Sequence, residues 1–390
     1  MADAALTQPV VELARTLIRR RSLTPDDAGC QPLVADRLAA ARFAVEDFRF
    51  GEVDNLLAVH GSGRPHLMLL GHTDVVPPGP EAEWSQPPFA AAVVDGRLYG
   101  RGAADMKSSV AAFVVALERF VAGHADHPGT LSLLLTSDEE GLAADGVRRI
   151  VGLLRERGQL PDHVLVGEPS SDERLGDVIR VGRRGSIQGR LTVRGKQGHT
   201  AYARPADNPV HRVAPALSAL AGLEFDDGDA AFPATTLQVS NVRAGTGADN
   251  VTPGEIEILF NLRHNPNSNA ETLERRIRNV LAGHGLTDRS GNGLPDWSLE
   301  WRISGAPFGP AGGALRRAVE HAVAQRLGLE VRADTGGGTS DGRFLGPLGI
   351  EVVELGPVNR TIHRIDEHID LDDLVRLPDL YLDVVGRVLD

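Results

Sequence analysis

Four short, nearly continuous apolar runs constrain this chain more than any other feature: residues 56–59, 67–70, 131–135 and 164–166. Such runs are too short for buried helices and lack an inside–outside alternation, so they read as strands covered on both faces. Helical periodicity lies around them. Val10, Leu13, Leu17 and Ile18 repeat at helix spacing after Thr7 and Pro9, a capping residue and a helix-entry proline. A second helix is expected near 31–41 and a third over 108–121, with Val110, Val114 and Leu117 on one face. Strands alternating with helices in this way predict an α/β fold with a mostly parallel sheet.

Near residue 186 the pattern changes. Residues 187–193 read as a strand, 208–223 as a helix, 236–242 and 255–262 as strands, 270–281 as a helix and 297–303 as a strand. The order β-α-β-β-α-β is that of a ferredoxin-like domain. After Pro307 the helix–strand alternation returns and ends in a helix near 371–388. A length of 390 residues also suits two domains. The reading is therefore an α/β catalytic domain over 1–185 and 306–390, interrupted by an inserted ferredoxin-like α+β domain over 186–305.

Composition removes several classes of function. No run of about 18 apolar residues is present, so no membrane span is expected. The first residues lack the basic-then-apolar order of a secretory signal. The single cysteine, Cys30, cannot form an internal disulfide, which fits a reducing cytoplasm. A formal net charge of −12 argues against nucleic acid as a partner, because neutralising phosphates needs a basic face. The expectation is a cytoplasmic protein that acts on small molecules.

The chemistry sits where the apolar runs stop. Run 67–70 is followed by His72 and Asp74, run 131–135 by Glu139 and Glu140, and run 164–166 by Glu168. A glycine-rich loop over 100–105 carries Asp105, and His363 follows an expected strand at 352–355. In open α/β sheets, ligands bind at the carboxyl ends of the strands. Singly, each residue has a plainer reading: Asp105 as a helix cap, Glu139 and Glu140 as a solvated loop, Glu168 as a turn residue, His363 as a surface histidine. Their shared position at strand ends favours a common site. Histidine with carboxylate and without cysteine suits zinc, cobalt or manganese.

Two adjacent dications repel and need anionic ligands between and around them. One arrangement has Asp105 bridging, His72 and Glu168 on one ion, and Glu140 and His363 on the other. Three carboxylates against the four positive charges of two dications leave room for one further anion. Asp74 is placed to orient the His72 imidazole. Glu139, adjacent to a ligand but not needed as one, stands where a general base should.

Segments 71–79 (GHTDVVPPG), 100–107 (GRGAADMK) and 136–140 (TSDEE) resemble the metallopeptidase family of aminoacylases and carboxypeptidases. Further segments are similar: 22–30, 166–171, 182–186, Gly198-His199, 338–344, 353–359 and 361–363, so the likeness runs from about residue 9 to the end. Within the family, the likeness is greatest to members that hydrolyse N-succinyl-L,L-2,6-diaminopimelate to succinate and L,L-diaminopimelate, a step towards lysine and cell-wall crosslinks. The resemblance places the metal ligands on His72, Asp105, Glu140, Glu168 and His363, and the base on Glu139. It implies two Zn2+ per subunit, with Co2+ an alternative in one site, and a cis peptide after Asp105. It also implies a homodimer built through the inserted domain, which acts as a lid, with His199 stabilising an oxyanion in the neighbouring subunit. Arg183, Arg263, Thr339 and Asn359 match family contacts to an anionic substrate. One departure is Asp249, in 245–250 (GTGADN), where the family usually has asparagine; it bears on substrate preference.

Rival readings remain at this level. Acetylornithine deacetylation or dipeptide cleavage would use the same metal site. A nucleotide-binding protein is suggested by the glycines at 100–102 and 336–342, but neither loop has the spacing of a dinucleotide or phosphate loop. A non-catalytic binding protein would be expected to lack a ligand or the base, and none is missing.

Overall fold

Strand His66–His72 explains the architecture of the catalytic region: all seven of its residues are buried. Successive side chains of a strand point to opposite faces, so burial at every position means cover on both sides of the sheet. Gly129–Thr136 is buried along its whole length in the same way. The computed structural model describes residues 6–286 and 296–389. It divides into one unit formed by the residues up to Gly182 and from Gly309 onward, and a second formed by Arg183–Phe308.

The first unit holds an eight-stranded sheet in the order Ala44–Phe50, Val53–Ser62, Gly129–Thr136, His66–His72, His163–Val166, Glu351–Glu354, Val178–Arg180, Arg332–Asp334. The parallel character is confined to part of it. Gly129–Thr136, His66–His72, His163–Val166 and Glu351–Glu354 run parallel. Ala44–Phe50 and Val53–Ser62 pair antiparallel with each other, and the latter antiparallel with Gly129–Thr136. The cause is local: only Gly51 and Glu52 separate the two outer strands, with Gly51 at φ +59, and a two-residue link can make only a hairpin. Ala44–Phe50 has no fully buried position, so it contributes no apolar run to the sequence.

Helices Ser108–Gly123 and Leu371–Leu389 pack together in the core of this unit. The Phe113 and Tyr381 rings lie 4.4 Å apart, and the Tyr381 hydroxyl donates to the carbonyl of Leu355 at 2.9 Å. Helix Pro9–Ile18 begins with Pro9 at its first turn, but the capping position is Gln8 rather than Thr7, and the Gln8 side chain makes no capping bond.

The second unit carries a four-stranded antiparallel sheet in the order Thr236–Ala244, Glu255–His264, Gly185–Arg194, Trp297–Gly305. Counted along the chain this is order 2-3-1-4, with helices Pro209–Ala221 and Ala270–Gly283 in the intervening connections. Ile187, Leu191, Ile258, Phe260 and Leu262 form its core with Val213, Leu220, Leu273 and Ile277. Gly189 makes room for Phe260: a Cβ there would stand 2.2 Å from the ring.

Candidate metal centre

His72 ends its strand with a side chain only 1% exposed. Its Nδ1 lies 2.9 Å from the main-chain oxygen of Asp74. A carbonyl can only accept, so Nδ1 carries the proton and Nε2 is the ligand atom. Nε2 lies 3.2 Å from Asp105 Oδ1 and 3.7 Å from Glu168 Oε1. Burial works against the imidazolium, but the Asp105 hydrogen bond and the charges of Glu168 and Asp74 outweigh it and hold His72 well above its ordinary range.

On the other side, His363 Nε2 lies 2.9 Å from Glu140 Oε1 and 3.4 Å from Asp105 Oδ2. Hydrogen bonds to Asp105 and Glu140 push it up to about 10. Asp105 thus faces His72 with one carboxylate oxygen and His363 with the other. The peptide after Asp105 is cis, as the family resemblance implies. The next residue, Met106, fills the space beside two ligands. A Cβ on Gly71 or on Gly167 would stand 2.6 Å from Met106 Cε, so glycine precedes both His72 and Glu168 for steric reasons.

Asp74 reaches both the His72 imidazole and the loop that carries Glu139 and Glu140. The imidazole is oriented by its carbonyl; its carboxylate stands 3.6 Å from Nδ1 and accepts the N–H groups of Glu140 at 3.1 Å and Glu139 at 3.4 Å. One residue therefore positions both His72 and the Glu139–Glu140 pair. Glu139 and Glu168 are both pushed well above the usual carboxylate range by burial, with Asp341 adding to the first and Asp105 to the second. Arg343 stands 3.9 Å from Glu139 and 3.6 Å from Asp341, whose carboxyl burial lifts to about 6.

The fit to divalent cations rests on this donor set. The ligand atoms of His72, Asp105 and Glu140, and those of His72, Glu139 and Glu168, each lie within 4.8 Å of one another. Buried carboxylates with raised proton affinity are what a cation would neutralise. Imidazole and carboxylate donors of this kind suit divalent ions, and Asp105 stands between the two imidazoles.

The remaining candidates are placed less simply. Thr339 Oγ1 accepts from Arg343 at 2.8 Å, and the Asn359 amide donates to Asp172 at 3.3 Å. Arg183, Arg263, His199 and Asp249 belong to the second unit. Arg183 is buried, Arg263 half-buried, and His199 and Asp249 are exposed. The His199 Nδ1 accepts the N–H of Ala201 at 3.2 Å, which leaves its ring proton on Nε2. Sequence alone assigns no role to Asp341 and Arg343, which flank Glu139, or to Arg101 and Glu367, which lie behind Asp105, although all but Glu367 fall in family-like segments. Glu367 carries one usable signal, an acid four residues after His363.

Fold and site together define a metal-dependent hydrolase: the model of Peptidase family M20/M25/M40 matches residues 68–387, and the chain belongs to that family. It is 56% identical over 384 residues to the succinyl-diaminopimelate desuccinylase of Xanthomonas campestris pv. campestris (strain 8004), covering 98% of this chain and 100% of the relative. It is also 56% identical over 379 residues to the succinyl-diaminopimelate desuccinylase of Halorhodospira halophila (strain DSM 244 / SL1), covering 97% and 98%. The fold is shared with the M20 family metallo-carboxypeptidase Sso-CP2 from Sulfolobus solfataricus, at TM-score 0.82, 15% identity, and 98% and 99% coverage. It is shared too with the Bacillus subtilis YXEP protein, described as a dinuclear metal binding peptidase, at TM-score 0.71, 18% identity, and 99% coverage of both chains. Among the described residues, no helix is long and apolar enough to cross a membrane.

Proposed function

We propose that this chain hydrolyses N-succinyl-L,L-2,6-diaminopimelate to succinate and L,L-diaminopimelate, using two divalent ions held by His72, Asp105, Glu140, Glu168 and His363. The observation that carries this is Asp105, which offers Oδ1 to one imidazole and Oδ2 to the other. The relatives named desuccinylase, matched over nearly the whole chain, support the substrate. His72, Glu168 and Asp105 would hold one ion, and Asp105, Glu140 and His363 the other. Zinc suits both sites, with cobalt accepted in one. Divalent ions bound there would supply positive charge to lower the proton affinity of the attacking water and to polarise the scissile carbonyl.

Glu139 then supplies the proton transfer. Its carboxylate takes the proton of the attacking water and returns it to the departing amine, a role suited to a carboxyl whose proton affinity burial has raised. Asp74 keeps Glu139 and Glu140 in register through their main-chain N–H groups. Arg183 and Arg263 receive substrate carboxylates through their planar forks, and Thr339 and Asn359 supply neutral polar contacts. The second unit serves as dimerisation and lid domain. His199 reaches the neighbouring subunit's site and donates its Nε2–H to the developing oxyanion. Asp249 tempers the preference for anionic substrates. The protein works in the cytoplasm, in keeping with a single buried cysteine.

One assay tests the reading. Protein loaded with zinc or cobalt is given succinyl-diaminopimelate and acetylornithine side by side, and release of free amine is followed. Turnover of the first alone is expected; turnover of acetylornithine alone would replace this reading with a sister deacylase.

A further inference from the structure

Behind Asp105 lies a buried carboxylate that touches no ligand atom yet holds the loop on which Asp105 sits. Glu367 is wholly buried. Its Oε1 accepts the main-chain N–H groups of Ala104 at 2.9 Å and Asp105 at 3.0 Å. Its Oε2 accepts from the Arg101 guanidinium at 2.6 Å and the N–H of Gly102 at 3.1 Å. The loop is shaped to receive it. Gly102 adopts φ +83, and a Cβ there would stand 2.6 Å from Val75 Cγ1, so its N–H can turn inward with those of residues 104 and 105. Successive amides curved in this way form an anion-binding nest. Arg101, only 3% exposed at its side chain, balances the charge.

Glu367 also belongs to the segment that carries His363. That segment is closed by Thr361, whose hydroxyl donates to the carbonyl of His368 at 3.0 Å and accepts its N–H at 3.3 Å. A second tie, from the N–H of Gly100 to the carbonyl of Glu367 at 2.9 Å, runs between the same two segments. One residue therefore joins the loop bearing the shared carboxylate to the loop bearing the more exposed imidazole.

The geometry points to Glu367 as a positioning residue: by clasping the 102–105 amides from the His363 segment, it sets the Asp105–His363 spacing and so tunes the second cation site. This rests on the two-ion reading given above. Such supporting contacts are worth about 10–100-fold in metal affinity or activity.

The test compares wild type, Glu367→Gln and Glu367→Asp. Glutamine keeps the shape but turns an acceptor into a donor facing Arg101 or the loop amides. Aspartate keeps the charge but falls short of the nest, and it serves where the glutamine variant does not fold. In metal-free protein, amide exchange at 102–105 is expected to quicken by about tenfold or more, while exchange in Gly129–Thr136 stays as in wild type. In cobalt titrations the first equivalent binds as in wild type. The second binds about 10–100-fold more weakly with an altered visible spectrum. Turnover falls with it, while KM stays within about threefold. Wild-type exchange at 102–105 together with wild-type second-ion affinity overturns the proposal. So does a uniform rise in exchange with loss of both ions, which marks general destabilisation. A wild-type protein that takes up only one ion would instead sink the two-ion reading.

Discussion

The two imidazoles of the centre live in opposite surroundings. His72 ends a fully buried strand, is 1% exposed, and has its tautomer set by the adjoining backbone. His363 sits on a turn at φ +59 and is 48% exposed, held by contacts reaching across the chain. The first half of the centre is therefore built into the sheet, whereas the second is assembled when a distant segment docks. Rigid strands fix a ligand before any ion arrives; a loop depends on its tethers.

The largest effect tests where Glu139 stands in this contrast, since it clusters with His72 and Glu168 as well as beside Glu140. Replacing Glu139 by Gln is expected to lower kcat about 100- to 10,000-fold with two ions still bound, as counted by elemental analysis. Loss of an ion would make Glu139 a ligand of the buried half. The contrast itself is tested by His72→Ala against His363→Ala. The first should lose both ions and destabilise the metal-free fold by about 1–3 kcal/mol, because it leaves buried partners unsatisfied. The second should lose one ion and cost less than the first, because His363 is 48% exposed and water can reach the carboxylates it leaves. Equal melting shifts for the two would erase the distinction.

A smaller change is expected for Asp74→Asn, about 10–100-fold in metal affinity or kcat. The main-chain carbonyl that orients His72 remains, while the hold on the Glu139–Glu140 amides and the negative charge beside His72 are weakened. The smallest effect is one of pH. In the metal-free protein His363 is raised from 6.5 to about 10, so the folded state holds a proton that the unfolded chain releases above 6.5. That stabilisation is complete below about 6.5 and fades as pH climbs towards 10. Denaturant midpoints measured across this window should fall with pH in wild type and fall less in His363→Ala.

Much of this was legible in the residues. Strands buried on both faces must be apolar throughout, so the runs at 67–70 and 131–135 announced the central sheet. Edge strand Ala44–Phe50 is only partly covered and left no such mark. Donor types and strand-end positions brought His72, Asp105, Glu140, Glu168 and His363 forward as a set. That the main-chain carbonyl of Asp74 faces His72 Nδ1 while its carboxylate takes the Glu139 and Glu140 amides is a matter of backbone course that residue type does not encode.

Residue identity alone determined which chemistry was available: two imidazoles, several acids, no thiol near them, and glycines where close packing needs them. Only the tertiary structure decided which oxygen of Asp105 meets which histidine, and that Arg343 and Asp341 flank Glu139. It alone brought Glu367 beneath a loop 262 residues away in sequence. Local propensity depends on neighbours along the chain, whereas these contacts exist only because packing places remote segments within hydrogen-bond reach.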